Sequence, residues 1–271
     1  MTNRIARAAS ILCLAVGPFA PAAAQTEVDL ELVLLADATG SIDDAEISFQ
    51  RQGYAEAITD PSVIAAIQST AHGRIAVTYV EWAHAASQDV VVGWTLIDGP
   101  ESAAAFAEAL IPPPRSAYGS NAIGAALLFG KALIEGNDIE GFRRVIDLSA
   151  DSATNTSGPP IEAARDEVVA AGITINGLAV LCRHCSGRPI NYDLEAAFAD
   201  RIIGGPGSFV VTADDPSTFA HAVRRKLILE IAGGPTSPQD AIEFRPRLYA
   251  GAGDSFAGVP AAVVAYRQGD R

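Results

Sequence analysis

Positive charge is scarce in this sequence. Nineteen lysines and arginines stand against 32 aspartates and glutamates in 271 residues, a formal charge of −13. Only two of the cations are lysines, Lys131 and Lys226. Such a chain has no basic stripe to follow a phosphate backbone, which argues against a nucleic-acid partner. Long apolar runs are also missing beyond the first two dozen residues, so nothing later in the chain suits a transmembrane anchor. There is no internal repeat, and no G-x-S-x-G elbow of the kind that exposes a nucleophilic serine. What is present is apolar bulk. With 49% hydrophobic residues, and 24 glycines and 16 prolines spread rather than clustered, the chain can bury a full core as one medium domain with appendages. The acid surplus suits a soluble protein that repels other anions or holds a cation.

The N-terminus stands apart. Arg4 and Arg7 form a positive region, Ala8 to Ala20 an apolar stretch, and Ala22-Ala23-Ala24 an A-x-A signal before Gln25. This is the pattern of a signal peptide over residues 1–24, cleaved near Ala24-Gln25, and it predicts a periplasmic or secreted protein. Cleavage removes two arginines and no acid, leaving a net charge of −15. Cys13, one of three cysteines, leaves with it.

The remaining thiols, Cys182 and Cys185, form C-R-H-C. In an oxidising compartment the simplest expectation is a local disulfide between them. A zinc site would need two more ligands, and His72, His84 and His221 show no metal-type spacing. A thiol oxidoreductase motif would open a helix, whereas Ser186-Gly187-Arg188-Pro189 breaks one.

Periodicity then predicts an α/β order. Val28–Ala36, Arg74–Trp82, Asp89–Ile97, Arg143–Ser149, Ile173–Leu181 and Ser208–Thr212 read as strands. Asp43–Thr59, Pro100–Leu110, Asn121–Ile134, Pro160–Ala171, Tyr192–Ile203 and Pro216–Ile231 read as helices. That alternation implies a doubly wound, mostly parallel sheet with helices on both faces. From Gly233 onward, Gly-Gly-Pro, Thr-Ser-Pro and Gly-Ala-Gly breaks predict a loosely packed or disordered tail over residues 234–271.

Ligands of open parallel sheets bind beyond the carboxyl ends of the strands. Three loops reach that edge: Asp37-Ala38-Thr39-Gly40-Ser41, Tyr118-Gly119-Ser120-Asn121-Ala122, and Ala150-Asp151-Ser152. They bring two carboxylates with hydroxyl and amide oxygens, and neither histidine nor thiol. Hard oxygens in this number suit an octahedral divalent ion such as Mg²⁺. The i, i+2, i+4 spacing of Asp37, Thr39 and Ser41 lets one curling loop aim three oxygens at a point.

Asp37-Ala38-Thr39-Gly40-Ser41 after a strand resembles the D-x-S-x-S motif of von Willebrand factor A (VWA) domains, whose metal-ion-dependent adhesion site (MIDAS) adds a middle-loop threonine and a later aspartate. Arg143 to Asp151, Ala170 to Leu178, Ile203 to Phe209 and Arg224 to Leu227 are similar to a bacterial family of exported VWA-like proteins of unknown function. The likeness covers about Glu27 to Gly233. It implies a VWA-like domain over residues 27–233 with Asp37, Thr39, Ser41 and Asp151 around Mg²⁺, or Mn²⁺ or Ca²⁺. Ser120 or Asn121 stands where the family has threonine. It also implies binding rather than turnover, with an acidic group of a protein partner completing the ion's shell.

Two rivals start from the same residues. D-A-T-G-S also looks like the D-K-T-G-T of phosphoryl-transferring enzymes, which would make Asp37 the nucleophile of a Mg²⁺-dependent phosphatase. That chemistry wants a lysine beside the phosphate and Asp214-Asp215 as a downstream metal pair, yet Asp214-Asp215-Pro216 reads better as a helix start. The other rival is a purely structural VWA domain with no ion.

Overall fold

The computed structural model describes residues 25–181, 192–213 and 218–234, together with the backbone of a short strand at 263–265. The signal peptide expected over 1–24, the disulfide expected between Cys182 and Cys185, and Asp214-Asp215 lie outside the described residues.

The strands are β1 (Thr26–Asp37), β2 (Ile75–Trp82), β3 (Gln88–Ile97), β4 (Ile139–Ala150), β5 (Thr174–Val180), β6 (Phe209–Ala213) and β7 (Val263–Ala265). The helices are α1 (Asp44–Ile58), α2 (Pro61–Gln68), α3 (Pro100–Leu110), α4 (Ile123–Glu135), α5 (Ile161–Ala170), α6 (Leu194–Arg201) and α7 (Phe219–Ala232). The sheet order is β3-β2-β1-β4-β5-β6-β7. β1 runs parallel to β2 and β4, while β3 and β7 are antiparallel to their neighbours. The expected doubly wound, mostly parallel sheet is therefore the observed one, and β7 adds an antiparallel strand from within the segment expected as a tail.

Burial on both faces explains the apolar run of β1. Leu30, Leu32, Leu34 and Ala36 join the core under α1, α2, α3 and α7. Val33 and Leu35 join the opposite core, with Ile123 and Leu127 of α4, Ile161 and Val168 of α5 and Phe198 of α6. Successive strand residues face opposite sides, so a strand covered on both needs apolar residues throughout.

Two further segments depart from the expectation. Pro61–Gln68, passed over in the sequence, is a helix: Asp60 caps it by accepting from Ser62 N–H at 2.8 Å, and Pro61 sits in its first turn. β4 also begins at Ile139 rather than Arg143, because Ile139–Gly141 extends the ladder beside Thr26–Val28. The Glu31 carboxylate holds that extension, accepting from Gly141 N–H at 2.7 Å and from Asn137 Nδ2 at 2.8 Å.

β1 lies where the chain order reverses, between β2 on one side and β4 on the other. In a doubly wound sheet the connections diverge there and open a crevice beyond the strand ends. Asp37 ends β1, and Asp151 follows the last residue of β4.

Candidate metal centre

The first loop is shaped by its own short polar side chains. Asp37 Oδ1 accepts the Thr39 N–H at 2.8 Å, the two-residue reach by which aspartate closes a turn on its own backbone. Ile42 N–H then returns to Thr39 O at 2.9 Å, and Asp43 starts α1 in a reciprocal capping box with Glu46, the two bonds being 2.8 and 2.9 Å. Thr39 Oγ1 consequently stands 3.1 Å from Ser41 Oγ. Asp37 and Thr39 are buried, whereas Ser41 and Asp151 are half-buried.

The Ser41 hydroxyl also lies near enough to the Asp151 carboxylate to favour its ionised form, so the β4 loop reaches the same corner. Burial, and then the charge of Asp151, pushes the Asp37 carboxyl from 3.8 up to about 7, against the polar groups of Thr39 and the Asp151 backbone, which lower it. Burial likewise raises Asp151, against the neighbouring Ser41 hydroxyl, which lowers it. Two carboxylates thus share a buried corner that disfavours their joint ionisation. The second Asp37 oxygen, Oδ2, is buried without any hydrogen-bond partner. Buried carboxylate oxygens are ordinarily paired or bound to metal.

The middle loop closes the other side. Gly40 N–H donates to Gly119 O at 2.8 Å, tying the first loop directly to it. Gly119 has φ +120°, and a Cβ there would lie 2.7 Å from His84 Cβ, so the approach requires glycine. Of the two middle-loop candidates, Ser120 is exposed. Asn121 donates its amide to Ser152 Oγ and to Thr154 Oγ1, the latter at 2.9 Å. Its main-chain oxygen accepts from Thr156 N–H at 2.7 Å. Asn121 therefore binds the middle loop to the loop after β4. Thr154 and Thr156 were not among the residues singled out in the sequence, because a hydroxyl in a polar loop carries no spacing signal.

Neither lysine is disposed toward Asp37. Lys131 on α4 pairs with Glu135 and Glu167, at 2.8 and 3.5 Å. Lys226 on α7 is fully buried between Asp147 and Glu230, at 2.5 and 2.6 Å.

A doubly wound sheet with an Asp-x-Thr-x-Ser loop after its first strand and an aspartate after the adjoining strand is a VWA-like domain. The chain belongs to the family described as "Protein of unknown function (DUF1194)", whose model matches residues 27–235. Solved structures of the same fold include the pilus adhesin SpaC from Lactobacillus rhamnosus GG in an open conformation, at TM-score 0.53 and 12% identity over 75% of this chain and 30% of that one. A von Willebrand factor type A protein from Catenulispora acidiphila matches at TM-score 0.52 and 16% identity, over 76% of this chain and 43% of that one. Proximal thread matrix protein 1 from the mussel byssus, with a zinc-occupied MIDAS motif, matches at TM-score 0.50 and 17% identity, over 78% and 49%. The chain thus spans less than half the length of each. A search of curated proteins returns no match. Among the described residues, no helix is long and apolar enough to cross a membrane.

Proposed function

We propose that this chain is an exported VWA-like interaction module that holds a divalent cation, Mg²⁺ by its chemistry, and through it an acidic group of a protein partner. Asp37, Thr39, Ser41 and Asp151 would hold the ion, with Asn121 or Ser120 as the neutral middle-loop group. The observation that carries this reading is Asp37 Oδ2, a carboxylate oxygen buried without a partner in a corner that also contains Asp151. A cation there satisfies the orphaned oxygen and offsets the repulsion between the two carboxylates at once.

The donor set favours a hard ion. Two carboxylates and two hydroxyls, with no histidine or thiol among them, match Mg²⁺ better than softer metals. Two carboxylates balance the charge of a divalent ion, and five protein oxygens, counting the middle-loop group, leave one octahedral position open, so the ion can take one further oxygen donor. The ion supplies that position when bound. The protein residues supply the fixed geometry: Asp37 is held by Thr39 N–H, and the Ser41 hydroxyl by that of Thr39. A partner with an exposed aspartate or glutamate presents the matching oxygen. The signal-peptide pattern read over residues 1–24 supports action in the periplasm or outside the cell.

Calorimetric titration of the purified protein with Mg²⁺ and Mn²⁺, wild type against Asp37→Ala, tests the reading. Saturable heat in the wild type, lost in the variant, is the expected result. Absence of heat from either ion in the wild type would overturn it, and steady phosphoester hydrolysis abolished by Asp37→Asn would replace it with the phosphatase reading.

A further inference from the structure

The sequence has few cations, so the position of each one near the acidic corner matters. Arg115 follows Pro112-Pro113-Pro114 and lies largely buried, with its side chain 10% exposed. Its guanidinium crosses to the first loop and hydrogen-bonds main-chain oxygens there: Nη2 to Ala38 O and, at 2.9 Å, to Thr39 O, and Nη1 to Ile42 O at 2.7 Å. Its one carboxylate neighbour among the described residues is the exposed Asp44 at the start of α1, 3.7 Å from Nη1 and outside the proposed ligand set. Nε turns back to Ala117 O in the middle loop at 3.0 Å. One planar fork therefore spans the two loops that bear Thr39 and Gly119.

The base of this fork is itself anchored. Arg51 and Glu81 form a buried pair at 2.6 Å. Arg51 donates to Leu110 O, Pro113 O and Pro114 O, while Glu81 Oε2 accepts from Ser116 N–H at 2.9 Å and from Ser116 Oγ at 3.1 Å. The residues on both sides of Arg115 are thus tied to α1 and β2. The Tyr118 ring packs on the outer side of the guanidinium, 5.0 Å from centroid to Cζ.

Resting on the metal-centre reading above, we infer that Arg115 is a positioning residue for the cation site. It braces the backbone that carries Asp37, Thr39 and Ser41 without pairing with Asp37 or Asp151. The use of carbonyl acceptors is the central point. An arginine donating to Asp37 or Asp151 would neutralise the corner and compete with an ion. Donation to carbonyls places the same charge where it fixes the loop and leaves both carboxylates available. Guanidinium suits this because its donors lie in one rigid plane and reach several acceptors together, which a single ammonium cannot do.

The test is Mg²⁺ calorimetry on Arg115→Lys and Arg115→Gln, with unfolding measured in EDTA on the same samples. Arg143→Lys serves as the matched control. Arg143 also donates to two carbonyls, Glu230 O and Ile231 O, but near the opposite end of β4. Both Arg115 variants are expected to remain folded in EDTA and to bind Mg²⁺ roughly 10–100-fold more weakly, the usual cost of losing an outer support of a metal site. Lysine retains the charge and not the fork, so failure of Arg115→Lys to rescue binding assigns the effect to geometry. Arg143→Lys is expected to leave Mg²⁺ affinity unchanged. The inference is overturned if the Arg115 variants bind as tightly as wild type, or if Arg143→Lys weakens binding as much as they do. A wild type silent to both Mg²⁺ and Mn²⁺ removes the ion reading itself, an outcome distinct from wild-type binding that Arg115 does not influence. Should Arg115→Gln fail to fold, Arg115→Lys against Arg143→Lys decides the question alone.

Discussion

Replacing Asp37 by asparagine separates the cost of the acidic corner from its use. The change preserves shape and the Oδ1 acceptor for Thr39 N–H, but removes one of two facing charges and places an amide donor where Oδ2 has no partner. The sign follows from the raised carboxyl. A group whose folded value is lifted from 3.8 to about 7 destabilises the fold progressively as pH rises through that window, and the full cost is present above it. At 1.36 kcal/mol per unit that cost is about 4 kcal/mol for the ion-free protein at pH 8. The new amide donor, buried without an acceptor, takes back about 1–3 kcal/mol. A net gain on the order of 2 kcal/mol is expected for Asp37→Asn in EDTA at pH 8, shrinking toward pH 4, where the wild-type carboxyl is neutral as well. With saturating Mg²⁺ the order reverses, because a ligand that binds only the folded state stabilises the wild type and not the variant. Urea unfolding with EDTA and with Mg²⁺, at pH 5 and pH 8, reads all four quantities. A variant less stable than wild type in EDTA at pH 8, or one that keeps the Mg²⁺ stabilisation, would refute the reasoning.

Two further outcomes concern the frame around the site. Burial raises the Asp29 carboxyl, but hydrogen bonds from Thr70 Oγ1 and from the His72 and Arg74 N–H groups outweigh it and hold the group at about 2. That stabilisation of about 2 kcal/mol is complete above the unfolded value near 4 and is lost as pH falls toward 2, so the advantage of wild type over Asp29→Asn should vanish across that window in urea unfolding. Lys226 is sealed between Asp147 and Glu230, and Lys226→Met strands two buried acids; a loss of about 3–5 kcal/mol is expected in denaturant titration, and a neutral substitution would refute the pairing.

Local pattern carried much of the fold. Alternation of apolar strands with helices marked a sheet covered on both faces, and the structure has that sheet. Where the reading missed α2, the start signal was present in Asp60-Pro61, but the helix is only eight residues long and follows α1 almost directly, so no distinct period separated them. The early start of β4 was illegible for another reason. Ile139–Gly141 is strand because Thr26–Val28 lies beside it, and Glu31 secures the pairing.

The candidate site divides along the same line. Asp37, Thr39 and Ser41 were legible because they lie within five residues, where a tight turn alone brings their oxygens together. Asp151 was legible because it follows a strong strand in a fold whose ligands collect at strand ends. Arg115 was not, since it reaches Ala38 and Thr39 from 77 and 76 residues away and hydrogen-bonds their backbone. Nor was the Thr154 hydroxyl, which together with that of Ser152 holds Asn121 across a gap between loops. Sequence by itself determined the class of fold and the acids at its edge, because periodicity and turn chemistry act over a few residues. Tertiary structure decided which carboxylate oxygen is left without a partner and which cation braces the loop beside it, because those depend on strand order and on loops that meet only after the sheet has formed.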